Sequence, residues 1–258
     1  MSSSISSKQM KLLLQRSGDR CAFSNCSKLL SADASDLDDA VILGEMAHIA
    51  GEKPGAKGKN NASARYNPDM TDEQRNSYGN LIYLCREHHR LIDEQENTFP
   101  VAVLLAMKVE HEQWVCQSLA EAMPEVDFQE LEEVTKHLLA NISSLPETKY
   151  TLTPPEEKMR RNGLTEQSKS YILHGMIKSK EVREFIQTKT LVDSKFAERL
   201  KAGFLTQYYS YVQQGYAGDE LFEALCTFAS DQGHTFKHQA AGIAVLVYLF
   251  EDCEVFER

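Results

Sequence analysis

The spacing of apolar residues changes along the chain, and each change predicts a different kind of element. Apolar positions three and four apart predict helices near the start and after Pro100, whereas two short apolar runs between them predict strands. The predicted elements are a helix over Lys8–Arg16, a strand that begins near Ala40–Leu43 and ends at His48, a strand over Leu81–Leu84, a helix from about Arg86 and a helix over Val101–Leu119. Residues 51–79 lack this periodicity and predict a long loop.

Helical spacing dominates the second half of the chain. An amphipathic pattern predicts a helix over Phe128–Ile142, and the pattern is helical throughout from Thr165. The proline-containing stretch Ser143–Arg161 between them predicts a linker. We therefore predict an α+β protein in which a mainly helical C-terminal domain follows an N-terminal domain. The predicted parts are residues 1–120, a connecting helix and linker at 121–164, and a partner-binding or oligomerisation domain at 165–258.

The charge of the chain is distributed unevenly. The formal net charge is −10, which excludes a protein that binds polyanions over its whole surface. Between Met46 and Arg90, however, seven basic residues face five acidic ones. Residues 119–258 hold 15 basic and 22 acidic side chains. A nucleic acid is therefore expected to meet the first half, and the acidic second half is expected to meet protein.

Six cysteines and the absence of a secretory leader pattern indicate a cytoplasmic protein with a metal site rather than disulfides. The apolar run Ala240–Phe250 is too short to span a bilayer, so it predicts a buried helix and no membrane partner. Three of the cysteines, Cys116, Cys226 and Cys253, lie in apolar helical contexts and are expected to pack in the core.

Two short-spaced pairs of soft ligands predict a structural zinc site. They are Cys21-x4-Cys26 and Cys85-x2-His88. Tetrahedral Zn²⁺ prefers thiolate and imidazole ligands, and two distant pairs would tie two segments of the chain together. The alternative is a set of ordinary buried thiols with a surface histidine.

Four segments around these ligands resemble the signature of HNH endonucleases. They are, in chain order, Glu45–Ile49, Asn80–Cys85, His88–Asp93 and Lys108-x2-His111-Glu112. The resemblance covers about residues 8–118. It implies a zinc-stapled ββα-metal finger, in which a strand pair and one helix hold a divalent cation beside a histidine. It therefore implies a metal-dependent DNA endonuclease.

The resemblance also implies a role for three residues. His48 would be the general base that activates water, since an imidazole accepts protons near neutral pH. Asn80 would orient the loop or the His48 ring through its amide. His89 would ligate the catalytic Mg²⁺ or Mn²⁺. Adjacent helical residues point about 100° apart, which lets His88 serve the zinc while His89 serves the second cation.

One position departs from the family pattern. Many HNH proteins have Asp or another ligand directly before the base histidine, and here that residue is Ala47. Glu45 and Asp93 are the candidates for a second ligand of the catalytic metal. Alternatively, Glu45 supports the strand, and Asp93 caps a helix or pairs with a nearby arginine.

Basic residues of the predicted loop are candidates for contacts with DNA phosphates. They are Lys53, Lys57, Lys59 and Arg65. Such contacts depend on charge and carry no base readout, so we expect little sequence specificity. A solvated loop without a ligand is the alternative. His111 is expected to pack or to support another residue.

The closing segment, residues 240–257, resembles the C-terminal module of proteins from three-component antiphage systems of the Lamassu type. This resemblance implies an SMC-like ABC ATPase and a small accessory subunit as partners, and it leaves homo-oligomerisation open. The leading hypothesis is thus a nuclease effector gated by the ATPase. A stand-alone restriction-type HNH nuclease and a non-catalytic zinc-binding adaptor are the alternatives.

Overall fold

The computed structural model describes residues 4–54, 65–140, 154–230, 233–252 and residue 256. The protein is mixed but mostly helical, with 64% helix and 7% strand. It divides into two compact units, Met1–Gln117 and Ser118–Arg258. The predicted mixture of helix and strand is confirmed at this level. The finer type of the N-terminal domain and the three-part division at residues 120 and 164 stay predictions.

Short strands and helices alternate in the first part of the chain. Up to residue 122 the described elements are α1 (Ser7–Ser17), β1 (Ser31–Ala32), β2 (Val41–Ile42), β3 (Gly44–His48), α2 (Asp72–Arg75), a 3-10 turn (Tyr78–Asn80), β4 (Leu81–Cys85), α3 (Arg86–Glu94) and α4 (Val101–Ala122). Strands β1 and β2 pair with each other, and β3 pairs with β4, both antiparallel. The core of the unit surrounds β4, whose five residues are all buried.

Helix α1 has the ends that the sequence predicts. The Ser6 hydroxyl accepts a hydrogen bond from the backbone N–H of Gln9, which caps the first turn. Gly18 takes a left-handed conformation with φ of 58°, and its N–H donates to carbonyls of the last turn. A residue with a Cβ would be strained there, so Gly18 ends the helix and turns the chain towards Cys21.

Strands β3 and β4 place candidate residues at opposite ends of one pair. Their register pairs Gly44 with Cys85 and His48 with Leu81. Helix α3 follows β4 directly, with Cys85 as its N-terminal cap residue. His48 therefore ends one strand, and Cys85 lies at the far end of the pair, where α3 begins.

The strand that was predicted to begin near Ala40 and to end at His48 is divided in the structure. Val41–Ile42 pairs with β1, and Gly44–His48 pairs with β4. The division occurs because the backbone N–H groups of Leu43 and Gly44 both donate to the carbonyl of Leu30, at 2.7 and 3.0 Å. Two successive donors on one acceptor interrupt the ladder, as in a β-bulge.

The predicted loop at residues 51–79 contains helical turns in its described part. Thr71 and Gln74 form a capping box around α2, each side chain bonding the backbone N–H of the other. Such a box can start even a short helix without apolar periodicity. The loop prediction is therefore wrong for α2 and for the 3-10 turn before β4.

The second unit is helical in its described part. Its elements are a 3-10 turn (Met123–Glu125), α5 (Phe128–Ala140), α6 (Pro155–Arg161), α7 (Glu166–Met176), α8 (Ser179–Val192), α9 (Phe196–Gln213), α10 (Gly218–Ala229) and α11 (Phe236–Asp252). Helix α11 packs against α5, α7, α8 and α10. The apolar run Ala240–Phe250 lies in α11 and is buried apart from the partly exposed Tyr248. This confirms the prediction of a buried helix.

Helix α6 lies where a linker was predicted. Pro155 occupies its first turn, where a missing N–H costs nothing and the fixed φ of proline favours the helix. Lys158 is fully buried, and its Nζ donates to the carbonyls of Phe250 at 2.8 Å and Glu251 at 3.2 Å. The charged side chain thus binds the C-terminal end of α11, which favours cations.

Two of the three cysteines expected in the core can be located. Cys226 is fully buried, Cys116 is partly buried, and Cys253 lies outside the described residues. In the part of the chain that the structure describes, every helix is too short or too polar to cross a membrane.

Candidate metal centre and histidine cluster

The four predicted zinc ligands lie together in the first unit. Cys21 and Cys26 belong to a tight turn that follows α1, where Asn25 takes a left-handed conformation. Cys85 ends β4, and His88 lies in the first turn of α3. The ligand atoms of all four residues lie within 4.8 Å of one another.

The distances within this Cys3His cluster fit a tetrahedral cation. The Nδ1 atom of His88 lies 3.5 Å from Sγ of Cys21 and 3.2 Å from Sγ of Cys85. With bonds of about 2.3 Å to sulfur and about 2.0 Å to nitrogen, a tetrahedral zinc separates such donors by about 3.5 Å. The cluster could therefore hold a metal ion such as zinc.

Burial and packing adapt the cluster to a cation. Burial raises the pKa of the Cys21 thiol to about 12, so a bound cation would be needed to hold it as a thiolate at neutral pH. Burial lowers the pKa of His88, which favours the neutral ring that binds metal. Phe23 stacks on the His88 ring with centroids 3.9 Å apart and fixes its plane.

His48 is held by a residue that the sequence did not single out. Its Nε2 atom lies 3.1 Å from Oδ1 of Asn76, directly after α2. Asn80 instead fastens the loop: its amide donates to the carbonyls of Ala50 and Arg75 and accepts from the N–H of Ala50. Of the two roles left open for Asn80, the contacts give the loop role to Asn80 and the ring contact to Asn76.

Asn76 had one usable sequence signal. The Thr71-x2-Gln74 spacing is that of a capping box, which predicts a short helix ending near Asn76. Nothing in the sequence, however, distinguishes the amide that faces the His48 ring from the amide four residues later.

His89 lies between the two carboxylates proposed as further metal ligands. Its Nδ1 atom is 2.7 Å from Oε2 of Glu45, and its Nε2 atom is 3.4 Å from Oδ2 of Asp93. Imidazole and carboxylate suit a divalent cation. In the described residues, only the Cys3His cluster brings three or more such ligand atoms within 4.8 Å of one another. The three groups thus form a hydrogen-bonded chain, and one bond of that chain must open before a shared cation can enter.

Arg65 has an internal position in the protein. Its side chain is 5% exposed and donates to the carbonyls of Ile49 at 2.7 Å and Ile92 at 2.6 Å. It also pairs with Asp93 at 3.0 Å. This is the arginine pair considered as an alternative for Asp93. The guanidinium joins the chain after β3 to the end of α3, so His48 and His89 are held by connected segments.

The other candidates for DNA contacts are only partly visible. Lys53 is exposed, and its Nζ lies 3.7 Å from a carboxylate oxygen of Glu52. Lys57 and Lys59 lie outside the described residues. Contacts of Lys53, Lys57 and Lys59 with DNA stay predictions, whereas the guanidinium of Arg65 already has partners within the protein.

The polar residues of α4 pack against earlier segments. His111 is buried, and its Nε2 donates to the carbonyl of Ser17 at 2.9 Å, so it has the packing role expected of it. Lys108 pairs with Glu112 at 2.9 Å and lies over the Tyr78 ring, 3.6 Å from its centroid. These contacts fasten α4 to α1 and to the turn before β4.

An open cleft of about 520 Å³ lies beside the chain that follows His48. Ile49 and Ala50, the two residues after His48, form part of its wall. Met70, Val101 and Leu105 give it apolar sides, and Asn80 lies at its edge. The cleft is adjacent to the end of β3 and offers space for a ligand next to the histidine.

The comparisons with known proteins concern the second half of the chain. Residues 129–257, half of the sequence, match the family model of C-terminal domain 10 of the ABC-three component (ABC-3C) systems. No curated protein and no solved structure matches the chain. The match confirms the resemblance of the C-terminal part to three-component antiphage systems. The HNH resemblance of the first unit stays a prediction.

Proposed function

The chain belongs to the family of proteins that carry C-terminal domain 10 of the ABC-3C systems, and from this premise we propose that it is their DNA-cutting effector. The family supports a role in antiphage defence, and ABC-3C systems include ABC ATPases. The proposed activity is metal-dependent endonuclease cleavage of DNA by the first unit. The proposed regulation is restraint by an SMC-like ATPase and a small accessory subunit, which bind the second unit.

One observation carries the nuclease proposal. The β3–β4–α3 segment places His48 at a strand end, His89 against Glu45 at 2.7 Å, and the Cys3His cluster at the start of α3. A structural zinc site alone has no need of a second histidine between two carboxylates. A hydrolytic site needs a base, cation ligands and a rigid support, and all three occur in one short segment.

In the proposed reaction, Nδ1 or Nε2 of His48 takes a proton from a water molecule as the water oxygen attacks the scissile phosphorus. The bond from phosphorus to the 3′ oxygen breaks, and that oxygen leaves and takes up a proton from solvent. The products are a 5′-phosphate and a 3′-hydroxyl. Asn80 keeps the loop that follows His48 in place through its bonds to Ala50.

A divalent cation, Mg²⁺ or Mn²⁺, would be held by His89 together with Glu45 or Asp93. When bound it would supply positive charge at the scissile phosphate and at the leaving oxygen. Arg65 keeps Asp93 close to His89 through its 3.0 Å ion pair. The adjacent His88 remains with the Cys3His cluster, so the two histidines bind different cations.

The second unit supports the gating proposal through its charge and its surface. Residues 119–258 carry 15 basic and 22 acidic side chains, which disfavours binding to DNA. Several large apolar side chains on α7 and α8 are exposed, namely Leu173, Ile177, Leu191 and Val192. Exposed apolar groups of this kind are common where proteins dock.

The test is plasmid cleavage by the full-length chain, alone and with its ATPase and accessory partners. Each mixture receives Mg²⁺, Mn²⁺ or EDTA. We expect cleavage with either cation and none with EDTA. His48→Ala should abolish cleavage while zinc content and folding stay unchanged. His174→Ala, in the second unit, is the matched control and should cut as the wild type does.

Each failure has a distinct meaning. Cleavage by His48→Ala would remove His48 from the mechanism. Free cleavage of unmodified DNA by the chain alone would contradict the gating by an ATPase. Cleavage limited to modified DNA would favour a restriction-type nuclease. Absence of cleavage in every mixture, with zinc present, would leave a zinc-binding adaptor.

A further inference from the structure

We infer that Asn76 is the positioning residue of His48: its amide oxygen accepts the Nε2–H of the ring and thereby leaves Nδ1 as the atom that takes the proton from water. The inference rests on the nuclease function proposed above and refines it to one nitrogen atom. It starts from the 3.1 Å distance between Nε2 of His48 and Oδ1 of Asn76.

The orientation of the Asn76 amide follows from its second contact. Its Nδ2 lies 3.0 Å from the backbone carbonyl of Asp72. A carbonyl oxygen can only accept, so the NH2 group must face Asp72 and the oxygen must face His48. An accepting oxygen requires a hydrogen on Nε2. Because a neutral imidazole carries a single ring proton, Nδ1 is then its basic nitrogen.

Asn76 is itself held on both sides. It is 8% exposed and directly follows α2, which the Thr71–Gln74 capping box stabilises. The carbonyl of the preceding residue, Arg75, accepts a hydrogen bond from the Asn80 amide at 2.9 Å. The amide that faces His48 therefore cannot rotate away without breaking its bond to Asp72. Such support keeps a base in one orientation during catalysis.

A purely structural role for Asn76 makes a different prediction. Asn162 offers the comparison, because it follows α6 and its Nδ2 donates to the carbonyl of Lys158 at 2.7 Å, four residues back, as in Asn76. If Asn76 only caps α2, its replacement should change stability alone, as at Asn162. If it positions His48, replacement should also change the state of the ring.

The first experiment reads the ring directly. Full-length protein labelled with ¹⁵N-histidine is studied by NMR at a pH where imidazole is neutral, and the His48 signals are assigned with a His48→Gln variant. We expect the Nε2–H tautomer in the wild type. Asn76→Ala should give a mixture of both tautomers, Asn76→Asp should restore the Nε2–H form because a carboxylate oxygen still accepts, and Asn162→Ala should leave the signals unchanged.

The second experiment measures cleavage with the partners and cation that activate the wild type. We expect Asn76→Ala to lower kcat about 10- to 100-fold, the usual effect of losing a group that orients a catalytic residue, with little change in KM. Asn76→Asp should recover most of the lost rate. Asn162→Ala should keep the wild-type kcat.

The outcomes separate this inference from the proposed function. A wild-type Nδ1–H tautomer, or wild-type kcat in Asn76→Ala, overturns the inference and leaves the nuclease proposal standing. Absence of cleavage by the wild type with its partners overturns the nuclease proposal, and the positioning role falls with it. If Asn76→Ala does not fold, the wild-type tautomer and the Asn76→Asp rate still decide the matter.

Discussion

Replacing Cys26 with serine should destabilise the first unit through the loss of a bound metal rather than through lost packing. Cys26 is the ligand suited to this test because it is only partly buried, whereas Cys21 and Cys85 are 0% and 3% exposed. A serine hydroxyl is nearly isosteric with the thiol but is a poor ligand for zinc. The substitution therefore removes one of four donors and changes the core very little.

The expected size follows from the ligand set. Structural zinc contributes about 10–16 kcal/mol in small Cys/His domains. One donor of four then accounts for about 3–4 kcal/mol, on an even division. For a unit of this length, each kcal/mol shifts the midpoint of thermal unfolding by about 4 °C. We expect the Cys26→Ser protein to unfold about 12–16 °C earlier.

The single tryptophan allows the first unit to be observed by itself. Trp114 lies within Met1–Gln117, so its fluorescence during heating reports on that unit. Cys116→Ser is the matched control, since Cys116 is partly buried and lies outside the cluster. It should shift the midpoint by no more than about 2 °C. His88→Cys, which restores four donors, should keep much more stability than Cys26→Ser.

Elemental analysis decides what the shift means. We expect one zinc per wild-type chain and less than one in Cys26→Ser after dialysis. The reasoning is refuted if wild-type protein purified with zinc contains none, or if Cys26→Ser unfolds at the wild-type temperature.

Three further predictions concern single contacts. Gly44→Ala places a Cβ 2.3 Å from the buried Tyr83 ring and should cost about 1–3 kcal/mol in urea unfolding, and a neutral result would contradict this. Lys158→Met removes the donor to the end of α11 and should cost about 2–3 kcal/mol, measured by urea unfolding of the far-ultraviolet circular dichroism. Burial lowers the pKa of His111 below the ordinary 6.5, so the folded state resists protonation and wild-type stability falls as pH drops through 6.5. His111→Gln, which can still donate to Ser17, should make that fall shallower by at most about 1.4 kcal/mol per pH unit, and an unchanged slope would contradict the assignment.

The sequence predicted the Cys3His cluster well because ligand spacing is a local property. Cys21 and Cys26 are close in any conformation that turns between them, and Cys85 and His88 share the first turn of a helix. The only step that required the fold was the meeting of the two pairs. The buried strand β4 and the cap at Gly18 bring them together, and both features have strong local signals.

The partners of His48 could not be predicted in the same way. Asn76 and Asn80 are both amides, they lie four residues apart, and both precede β4. Which amide reaches the ring depends on the path of α2 and the turn after it, and α2 has only four residues. Arg65 shows the same limit: a basic residue in a polar loop resembles a phosphate contact, but its guanidinium is buried against backbone carbonyls.

The division between the two adjacent histidines depends on how α3 begins. Cys85 is both a member of the Cys3His cluster and the residue that caps α3, so a cation bound there would fix the first turn of the helix in position and rotation. His88 lies on the face towards the cluster, where Phe23 stacks on it, and His89 lies about 100° further round the helix, between two carboxylates. A change in the rotation of α3 would move His89 away from Glu45, which belongs to β3. The rigidity of the metal cluster and the geometry of the proposed catalytic histidine are therefore one property of the fold, and a ligand substitution such as Cys26→Ser should disturb both.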